Sequence, residues 1–176
     1  KSNLNNWTKV ISKVNLSSKS VKIAIVGKYV ELQDSYLSVK ESLIHAGMFN
    51  QTEIQIEWIN SEEIKSTNVE TMFEGINGII VPGGFDKRGT QGMIEACKYA
   101  RENNIPYFGL CLGMQIMVIE AARNLLGYPE SNSTEFDEST PYPVIDLMPE
   151  QLKSLHKGGS MRLGLYDCNI LDGTKT

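Results

Sequence analysis

A five-residue segment, Gly109-Leu110-Cys111-Leu112-Gly113, constrains the fold more than any other part of the sequence. It follows a short apolar run with Tyr107 and Phe108, which predicts a buried strand, and it precedes a predicted helix from Met114 to Leu126. The spacing is that of a nucleophile elbow, Gly-x-nucleophile-x-Gly, with cysteine as the nucleophile. So sharp a turn needs neighbours without a Cβ, and it holds the nucleophile in a strained, exposed position.

The cysteine at the centre of this segment admits two interpretations. A thiol at a helix N-terminus gains from the partial positive charge there, so the thiolate form of Cys111 is favoured and the residue is a candidate nucleophile. An isolated cysteine after a strand is also commonly a small, buried apolar side chain. Neither interpretation is excluded by the elbow spacing alone.

Strands and helices alternate along the chain before the elbow. The predicted strands are Val21 to Gly27, Glu53 to Asn60, Gly78 to Pro82 and the run that ends at the elbow. The other predicted helices run from Asp34 or Ser35 to about Ala46, with Gly47 as a stop, and from Thr90 or Gln91 to about Asn103. This order predicts an α/β fold, a doubly wound and mostly parallel sheet with helices on both faces.

Topology predicts where an active site would lie in such a fold. Ligands bind at the carboxyl ends of the strands, which meet at one edge of a parallel sheet. The Gly83-Gly84 turn follows the third predicted strand and Cys111 follows the fourth. We therefore expect the turn and the cysteine to converge.

The two ends of the chain are less regular. Residues 1–20 are predicted to be a linker with a short amphipathic helix, and residues 21–176 to be the domain itself. Ser61 with Glu62 and Glu63 is predicted to open a short helical turn. Beyond Gly127 the predicted strands are Val144 to Met148 and an edge strand from Met161 to Leu171.

Composition excludes several classes of function. A net charge of -4 provides no basic surface for a phosphate backbone, so nucleic acid is not an expected partner. No apolar run approaches the ~20 residues that span a bilayer, and no leader pattern opens the chain. The three cysteines lack metal-ligand spacing, which favours free thiols and a cytoplasmic location. Gly27 is not followed by Gly-x-Gly-x-x-Gly, which argues against a dinucleotide cofactor.

Five ordered blocks of sequence carry a resemblance to a known family. They are Val26-Gly27-Lys28-Tyr29-Val30-Glu31-Leu32 with Ser35-Tyr36, Pro82-Gly83-Gly84-Phe85 with Arg88-Gly89, the elbow extended through Met114-Gln115, Asn132-Ser133-Thr134-Glu135-Phe136, and Gly158-Gly159-Ser160-Met161-Arg162-Leu163-Gly164. Together they resemble the class I glutamine amidotransferase domain of CTP synthases. In that family the domain hydrolyses L-glutamine through a cysteine thioester, and the ammonia aminates UTP to CTP at an ATP-dependent ligase site.

The resemblance implies roles for particular residues. Cys111 would be the nucleophile, and the N–H groups of Gly84 and Leu112 would bind the oxyanion. The segment Leu112-Gly113-Met114-Gln115 would line the substrate, with Gln115 one turn beyond the cysteine. Glu135 would accept the α-ammonium group of glutamine. Phe85 and Arg88 would lie near an effector site for GTP.

The resemblance also implies partners and cofactors outside this domain. No cofactor or metal is expected within it. ATP, Mg and UTP would bind an upstream synthetase domain, and the full-length protein would be a homo-tetramer that can stack into filaments.

Two departures from the family pattern stand out. Asp86 occupies a position where the family usually has glycine, and aspartate tolerates a positive φ better than most residues. The family's catalytic base is a histidine in a His-x-Glu pair near the C-terminus, and an arginine there binds the glutamine carboxylate. Only His45 and His156 are present, neither in such a pair, and both are predicted to be surface residues. We therefore expect the domain to be incomplete at its C-terminus and the chain alone to have little glutaminase activity.

Two alternatives to a glutaminase remain open at this point. One is a cysteine hydrolase or peptidase with the same kind of elbow, of the DJ-1-like kind, which would attack substrates other than glutamine. The other is a non-catalytic regulatory or assembly module, which would not need the thiol of Cys111.

Overall fold

The computed structural model describes residues 3–14, 19–148, 165 and 167–174. The chain divides into two units, residues 1–145 and residues 146–176. In the second unit the described residues form no helix or strand. The predicted edge strand from Met161 to Leu171 lies partly outside the described residues, at 161–164 and 166, and its remaining residues are in neither helix nor strand.

The first unit alternates strands and helices. In chain order its elements are α1 (Asn5–Val14), β1 (Lys19–Gly27), a 3-10 turn (Gln33–Tyr36), α2 (Leu37–Asn50), β2 (Thr52–Asn60), α3 (Val69–Met72), β3 (Gly78–Val81), α4 (Thr90–Glu102), β4 (Tyr107–Gly109), α5 (Leu112–Asn124), β5 (Ser131–Ser133) and β6 (Tyr142–Ile145). The four predicted strands of the core and its three long helices are therefore present. The prediction that β4 is buried is wrong, because Phe108 is exposed and Tyr107 and Gly109 are only half-buried. None of the helices in the described part of the chain combines the length and the apolar character needed to cross a membrane.

Four strands form one parallel sheet in the order β2-β1-β3-β4. The chain moves outward from β1 to β2, and then crosses to the other side of β1 to form β3 and β4. The strand order therefore reverses between β1 and β3, which is the switch point where α/β folds bind ligands. This arrangement confirms the predicted doubly wound α/β fold.

Alternate residues of the strands pack on opposite faces of the sheet, as the two-residue period of a strand requires. Ala24 and Val26 of β1 face a large core that also contains α4 and α5. Ile25, between them, faces a smaller core with Tyr36 and residues of α2. Helices thus cover both faces, and the inward face predicted for α4 is confirmed, with four buried residues: Met93, Ala96, Cys97 and Ala100.

Gly27 has a packing role at the end of β1. A Cβ on Gly27 would overlap the ring of Tyr36, whose hydroxyl accepts hydrogen bonds from the N–H groups of Lys28 (3.1 Å) and Tyr29 (3.3 Å). The tyrosine therefore closes over the end of β1. That contact explains why a glycine ends this strand without a dinucleotide-binding loop after it.

Several predicted boundaries are wrong. Gly47 does not stop α2, which continues to Asn50. The glycine serves packing, because a Cβ on this buried residue would lie 2.6 Å from the carbonyl oxygen of Thr52. Ser61 to Glu63 forms a turn without a helix. α5 begins at Leu112, two residues before the predicted Met114, because the elbow leads directly into the helix.

The region after α5 also differs from the prediction. The strand predicted from Val144 to Met148 is found at Tyr142–Ile145, and it pairs in parallel with β5, which was not predicted. β5 is polar and three residues long, so it carries no alternating apolar pattern.

The predicted short amphipathic helix near the N-terminus is present as α1. Its apolar side chains Trp7 and Ile11 are exposed, and so is that of Leu4 directly before it. The domain boundary at residue 20 remains a prediction.

Candidate active site

The elbow holds Cys111 in a strained backbone conformation. The residue lies between β4 and α5 with φ 52° and ψ -103°, outside the regions that L-residues ordinarily adopt, and its side chain is exposed. Conformations of this kind cost on the order of 1–3 kcal/mol and concentrate at functional sites. The exposure of the thiol rules out the interpretation of Cys111 as a buried apolar side chain.

The two elbow glycines are required by close backbone packing. A Cβ on Gly109 would overlap the backbone of Gly113, and a Cβ on Gly113 would overlap the carbonyl oxygen of Val81 in β3. The hydroxyl of Tyr107 donates a hydrogen bond to the Gly113 carbonyl at 2.9 Å. The first turn of α5 is therefore packed directly on the sheet.

The turn after β3 lies against the elbow, as topology predicted. A Cβ built on Gly83 would lie 3.5 Å from the Cβ of Cys111, and one built on Gly84 would lie 3.2 Å from Cδ2 of Leu112. Two loops that are far apart in sequence thus meet at the carboxyl edge of the sheet. Their backbones approach closely because both positions of the turn lack side chains.

Two backbone donors are available at this junction. The N–H of Gly113 bonds to the Leu110 carbonyl, and those of Met114 and Gln115 bond to the Cys111 carbonyl. Within the described residues no acceptor is found for the N–H groups of Leu112 and Gly84. The first N–H groups of a helix have no intrahelical partner and attract negative charge.

The residues after Cys111 divide between two faces of α5. The side chain of Leu112 is buried in the core and Gly113 packs on β3, so these two residues can meet a ligand only through their backbone. Met114 is exposed and Gln115 is half-buried. Because residues three and four apart share a helix face, Met114 and Gln115 lie on the same face as Cys111.

Glu135 lies beside the turn after β3. Its Oε1 accepts a hydrogen bond of 2.8 Å from the N–H of Asp86, and the residue is exposed. Glu135 follows β5, so a short polar strand places this carboxylate near the elbow. The side chain of Glu135, which is predicted to bind the substrate, is therefore at the edge of the site.

Asp86 has the backbone conformation that a glycine would favour. Its φ is 64°, in the left-handed region that aspartate tolerates. Its Oδ1 accepts a 2.7 Å hydrogen bond from the N–H of Arg88, which lowers the pKa of the carboxyl, and the charge of Lys28 lowers it further. The aspartate thus adopts the left-handed conformation that this turn requires.

Lys28 is a residue of this site whose role the sequence did not indicate. Its side chain is only 1% exposed, and its Nζ donates to the carbonyl oxygens of Phe85 and Asp86, each at 2.6 Å. The available signal was a lysine placed directly after a buried strand, at the edge where ligands bind. That signal is weak because most lysines after strands are exposed.

Phe85 and Arg88, which are predicted to lie near an effector site, have different surroundings. Phe85 is exposed. Arg88 donates to Oε1 of Glu62 at 2.6 Å, and its guanidinium lies 5.4 Å from the centre of the Tyr29 ring. The described residues contain no cluster of three or more side chains suited to bind a metal ion.

A second thiol lies behind the elbow in a buried polar cluster. Burial, together with the charge of Glu120, raises the pKa of Cys97 to about 12. Glu120 is itself buried and accepts hydrogen bonds from Arg101, the shortest at 2.8 Å. Cys97 is therefore protonated at neutral pH, and its thiol is buried whereas Cys111 is exposed.

The one histidine among the described residues, His45, does not lie where it could act as a base for Cys111. His45 is exposed in the second half of α2, which starts at the carboxyl edge of the sheet and returns to the opposite edge. At 1.5 Å per residue the helix has already moved roughly 12 Å from its start at that point. His156 lies outside the described residues.

Comparison with known proteins gives a consistent set of relatives. Residues 31–176 match the family model "Glutamine amidotransferase class-I". The chain is 52% identical over 174 residues to the CTP synthase of Caldanaerobacter subterraneus subsp. tengcongensis, and 54% identical over 169 residues to that of Bacillus velezensis. These matches cover 99% and 96% of this chain but only 32% of each relative, so the chain spans about a third of their length.

A solved structure agrees with these relatives. The fold matches the glutaminase domain of Trypanosoma brucei CTPS with bound acivicin, with a TM-score of 0.68 and 41% sequence identity. The match covers 73% of this chain and 50% of that one. With a family model that extends over most of the sequence, this chain belongs to the class I glutamine amidotransferases.

Proposed function

We propose that this chain is the glutaminase part of a CTP synthase. The observation that carries the proposal is the meeting of the strained, exposed Cys111 with the Gly83-Gly84 turn, where the N–H groups of Gly84 and Leu112 have no acceptor among the described residues. The proposal is supported by relatives named CTP synthase at 52% and 54% identity.

In the proposed reaction the sulfur of Cys111 attacks the side-chain amide carbon of L-glutamine. The amide oxygen becomes an oxyanion, which the N–H groups of Gly84 and Leu112 stabilise, each by about 3 kcal/mol. The leaving nitrogen then takes up a proton and departs as ammonia, which leaves a γ-glutamyl thioester on Cys111. Water hydrolyses the thioester to glutamate and restores the thiol.

The substrate is oriented by groups around the elbow. Glu135 binds the α-ammonium group of glutamine, since a carboxylate accepts about four hydrogen bonds and, among the described residues, only Asp86 donates one to it. Gln115 and Met114 line the side-chain channel on the face of α5 that carries Cys111. The backbone of Leu112 and Gly113 also lines this channel.

A base must take the thiol proton and return it to the leaving ammonia. His45 is on α2, which leads away from the site, so we propose that it is not that base. His156 is not followed by the glutamate that the family pattern requires, so we do not assign it this role either. The family resemblance places the base in a His-x-Glu pair that this sequence does not contain. We therefore expect little glutaminase activity from residues 1–176 alone.

The activity of the whole protein is proposed from its relatives. The ammonia would aminate UTP to CTP at an upstream ATP- and Mg-dependent synthetase domain, with GTP as an effector near Phe85 and Arg88. A cytoplasmic homo-tetramer that can form filaments is proposed on the same basis.

Ammonia release from glutamine tests the proposal. We would compare the full-length protein, its Cys111→Ala variant and residues 1–176. We expect ammonia from the full-length protein only. Hydrolysis of glutamine that survives Cys111→Ala, or hydrolysis of peptides or esters but not of glutamine, would contradict the proposal and favour another elbow hydrolase.

A further inference from the structure

Lys28 is a buried cation whose bonds converge on one turn. It follows β1 at the switch point of the sheet, and its side chain is 1% exposed. Two of its three donors reach the carbonyl oxygens of Phe85 and Asp86, each at 2.6 Å, and Oδ1 of Asp86 lies at 3.3 Å. An ammonium has three donors, so this turn can account for all of its hydrogen bonds.

The same turn is held from its other side by Glu135. The carbonyl of the Phe85–Asp86 peptide accepts from Lys28 at 2.6 Å, while the N–H of that peptide donates to Glu135 at 2.8 Å. In a trans peptide the C=O and N–H point in opposite directions. One lysine and one carboxylate therefore fix the orientation of a single peptide plane.

This peptide lies next to the proposed oxyanion donor. A Cβ built on Gly84 would lie 3.9 Å from Cε of Lys28 and 3.2 Å from Cδ2 of Leu112. Gly84 is thus placed between the stem of the lysine and the first residue of α5. A rotation of the Phe85–Asp86 peptide would break the bonds to Lys28 and to Glu135, and it would move the chain immediately after Gly84.

The carboxylate of Asp86 is a weaker part of this arrangement. Its side chain is 62% exposed and its distance to Nζ of Lys28 is 3.3 Å, longer than either carbonyl contact. Its Oδ1 also accepts the N–H of Arg88. Most of the compensation for the buried ammonium therefore comes from the two backbone carbonyls.

We propose that Lys28 is a positioning residue for glutamine hydrolysis: by holding the carbonyls of Phe85 and Asp86 it orients the Gly83–Asp86 turn so that the Gly84 N–H faces the oxyanion. This inference rests on the proposed glutaminase function. Lys28 does not touch the substrate. Its loss should affect the transition state more than ground-state binding, because the oxyanion forms only during the reaction.

The test is a kinetic comparison in the full-length protein. We expect Lys28→Met, which keeps the length of the stem, to lower kcat for glutamine hydrolysis by about tenfold to a hundredfold with KM changed less than about threefold. Lys28→Gln keeps amide donors and should fall between Lys28→Met and the wild type. Lys22→Met is the matched control and should retain the wild-type rate, because Lys22 lies in the first half of β1, the strand that Lys28 follows.

A second measurement separates positioning from general loss of structure. The alkylation of an exposed thiol by iodoacetamide forms no oxyanion and therefore needs no oxyanion donor. The rate at which iodoacetamide labels Cys111 should thus be the same in wild type and in Lys28→Met. If Lys28→Met does not fold, the Lys28→Gln variant decides the question by the same two measurements. Unchanged kcat in the folded variant, or equal losses in kcat and in iodoacetamide labelling, would overturn the inference.

Failure of the proposed function would give a different result. If the wild-type full-length protein releases no ammonia from glutamine, then the glutaminase proposal fails before Lys28 is tested. If the wild type is active and Lys28→Met matches it, only the role of Lys28 is wrong.

Discussion

Lys28 and Glu135 hold opposite edges of the same peptide bond, Phe85–Asp86. The lysine donates to its carbonyl at 2.6 Å and the glutamate accepts from its N–H at 2.8 Å. These residues follow β1 and β5, so two separate parts of the chain fix one turn next to Cys111. Glu135 is therefore assigned two tasks, one observed in the turn and one proposed for the substrate.

The two tasks of Glu135 can be separated by Glu135→Gln. The amide oxygen can still accept the Asp86 N–H, but the negative charge for the α-ammonium group is lost. We expect KM for glutamine to rise about tenfold to a hundredfold, while kcat changes only a few-fold. Glu138→Gln, another exposed carboxylate of the same loop, is the control and should leave KM unchanged. A kcat defect at unchanged KM would contradict the substrate role.

Gly113 is expected to tolerate no side chain. A Cβ there would overlap the carbonyl oxygen of Val81, which is backbone and cannot rotate away. We expect Gly113→Ala to lower the free energy of unfolding by roughly 2–4 kcal/mol, as overpacking against backbone does. Denaturant unfolding measures this change in the free energy of unfolding. Gly83→Ala, whose Cβ would make an ordinary 3.5 Å contact, should cost less than about 1 kcal/mol, and equal losses would contradict the account.

The strain at Cys111 predicts a stabilising substitution. At φ 52° and ψ -103° a glycine is unstrained, whereas any residue with a Cβ is not. Both Cys111→Gly and Cys111→Ala remove the thiol, but only the glycine relieves the strain. We expect Cys111→Gly to be more stable than Cys111→Ala by about 1 kcal/mol in thermal or denaturant unfolding. The opposite order would show that the elbow is not strained.

The buried thiol of Cys97 predicts a dependence of stability on pH. Burial raises its pKa from 9.0 to about 12, so the neutral thiol is favoured in the folded state. This contribution is fully present below pH 9 and is lost as the pH rises from 9 towards 12, because the unfolded chain releases the proton first. Between pH 9 and 11 the wild type should lose about 1 kcal/mol per pH unit more than Cys97→Ala. Parallel curves for the two proteins would contradict this.

The sequence predicted the elements that have strong local signals. The four core strands are apolar runs or alternating runs, and the inward face of α4 follows from its period, so these predictions needed no tertiary information. The elbow was also predictable, because its two glycines have a purely local pattern. The convergence of Gly83 with Cys111 followed from the rule for parallel strands.

Other features depended on contacts between distant residues. Gly47 resembles a helix stop, yet it lies inside α2. The position is a glycine because β2 approaches too closely there for a side chain. β5 is three polar residues and gains its strand only by pairing with β6. Lys28 meets Phe85 and Asp86 across the sheet edge, a contact that no local pattern encodes.

The most direct test of the central claim is to locate the covalent adduct of a glutamine analogue. The full-length protein would be treated with a diazo-ketone analogue of glutamine and digested for mass spectrometry. We predict one adduct per chain on Cys111, protection by L-glutamine, and no adduct on Cys97. Labelling of another residue, or no labelling of a Cys111 that still reacts with iodoacetamide, would contradict the account.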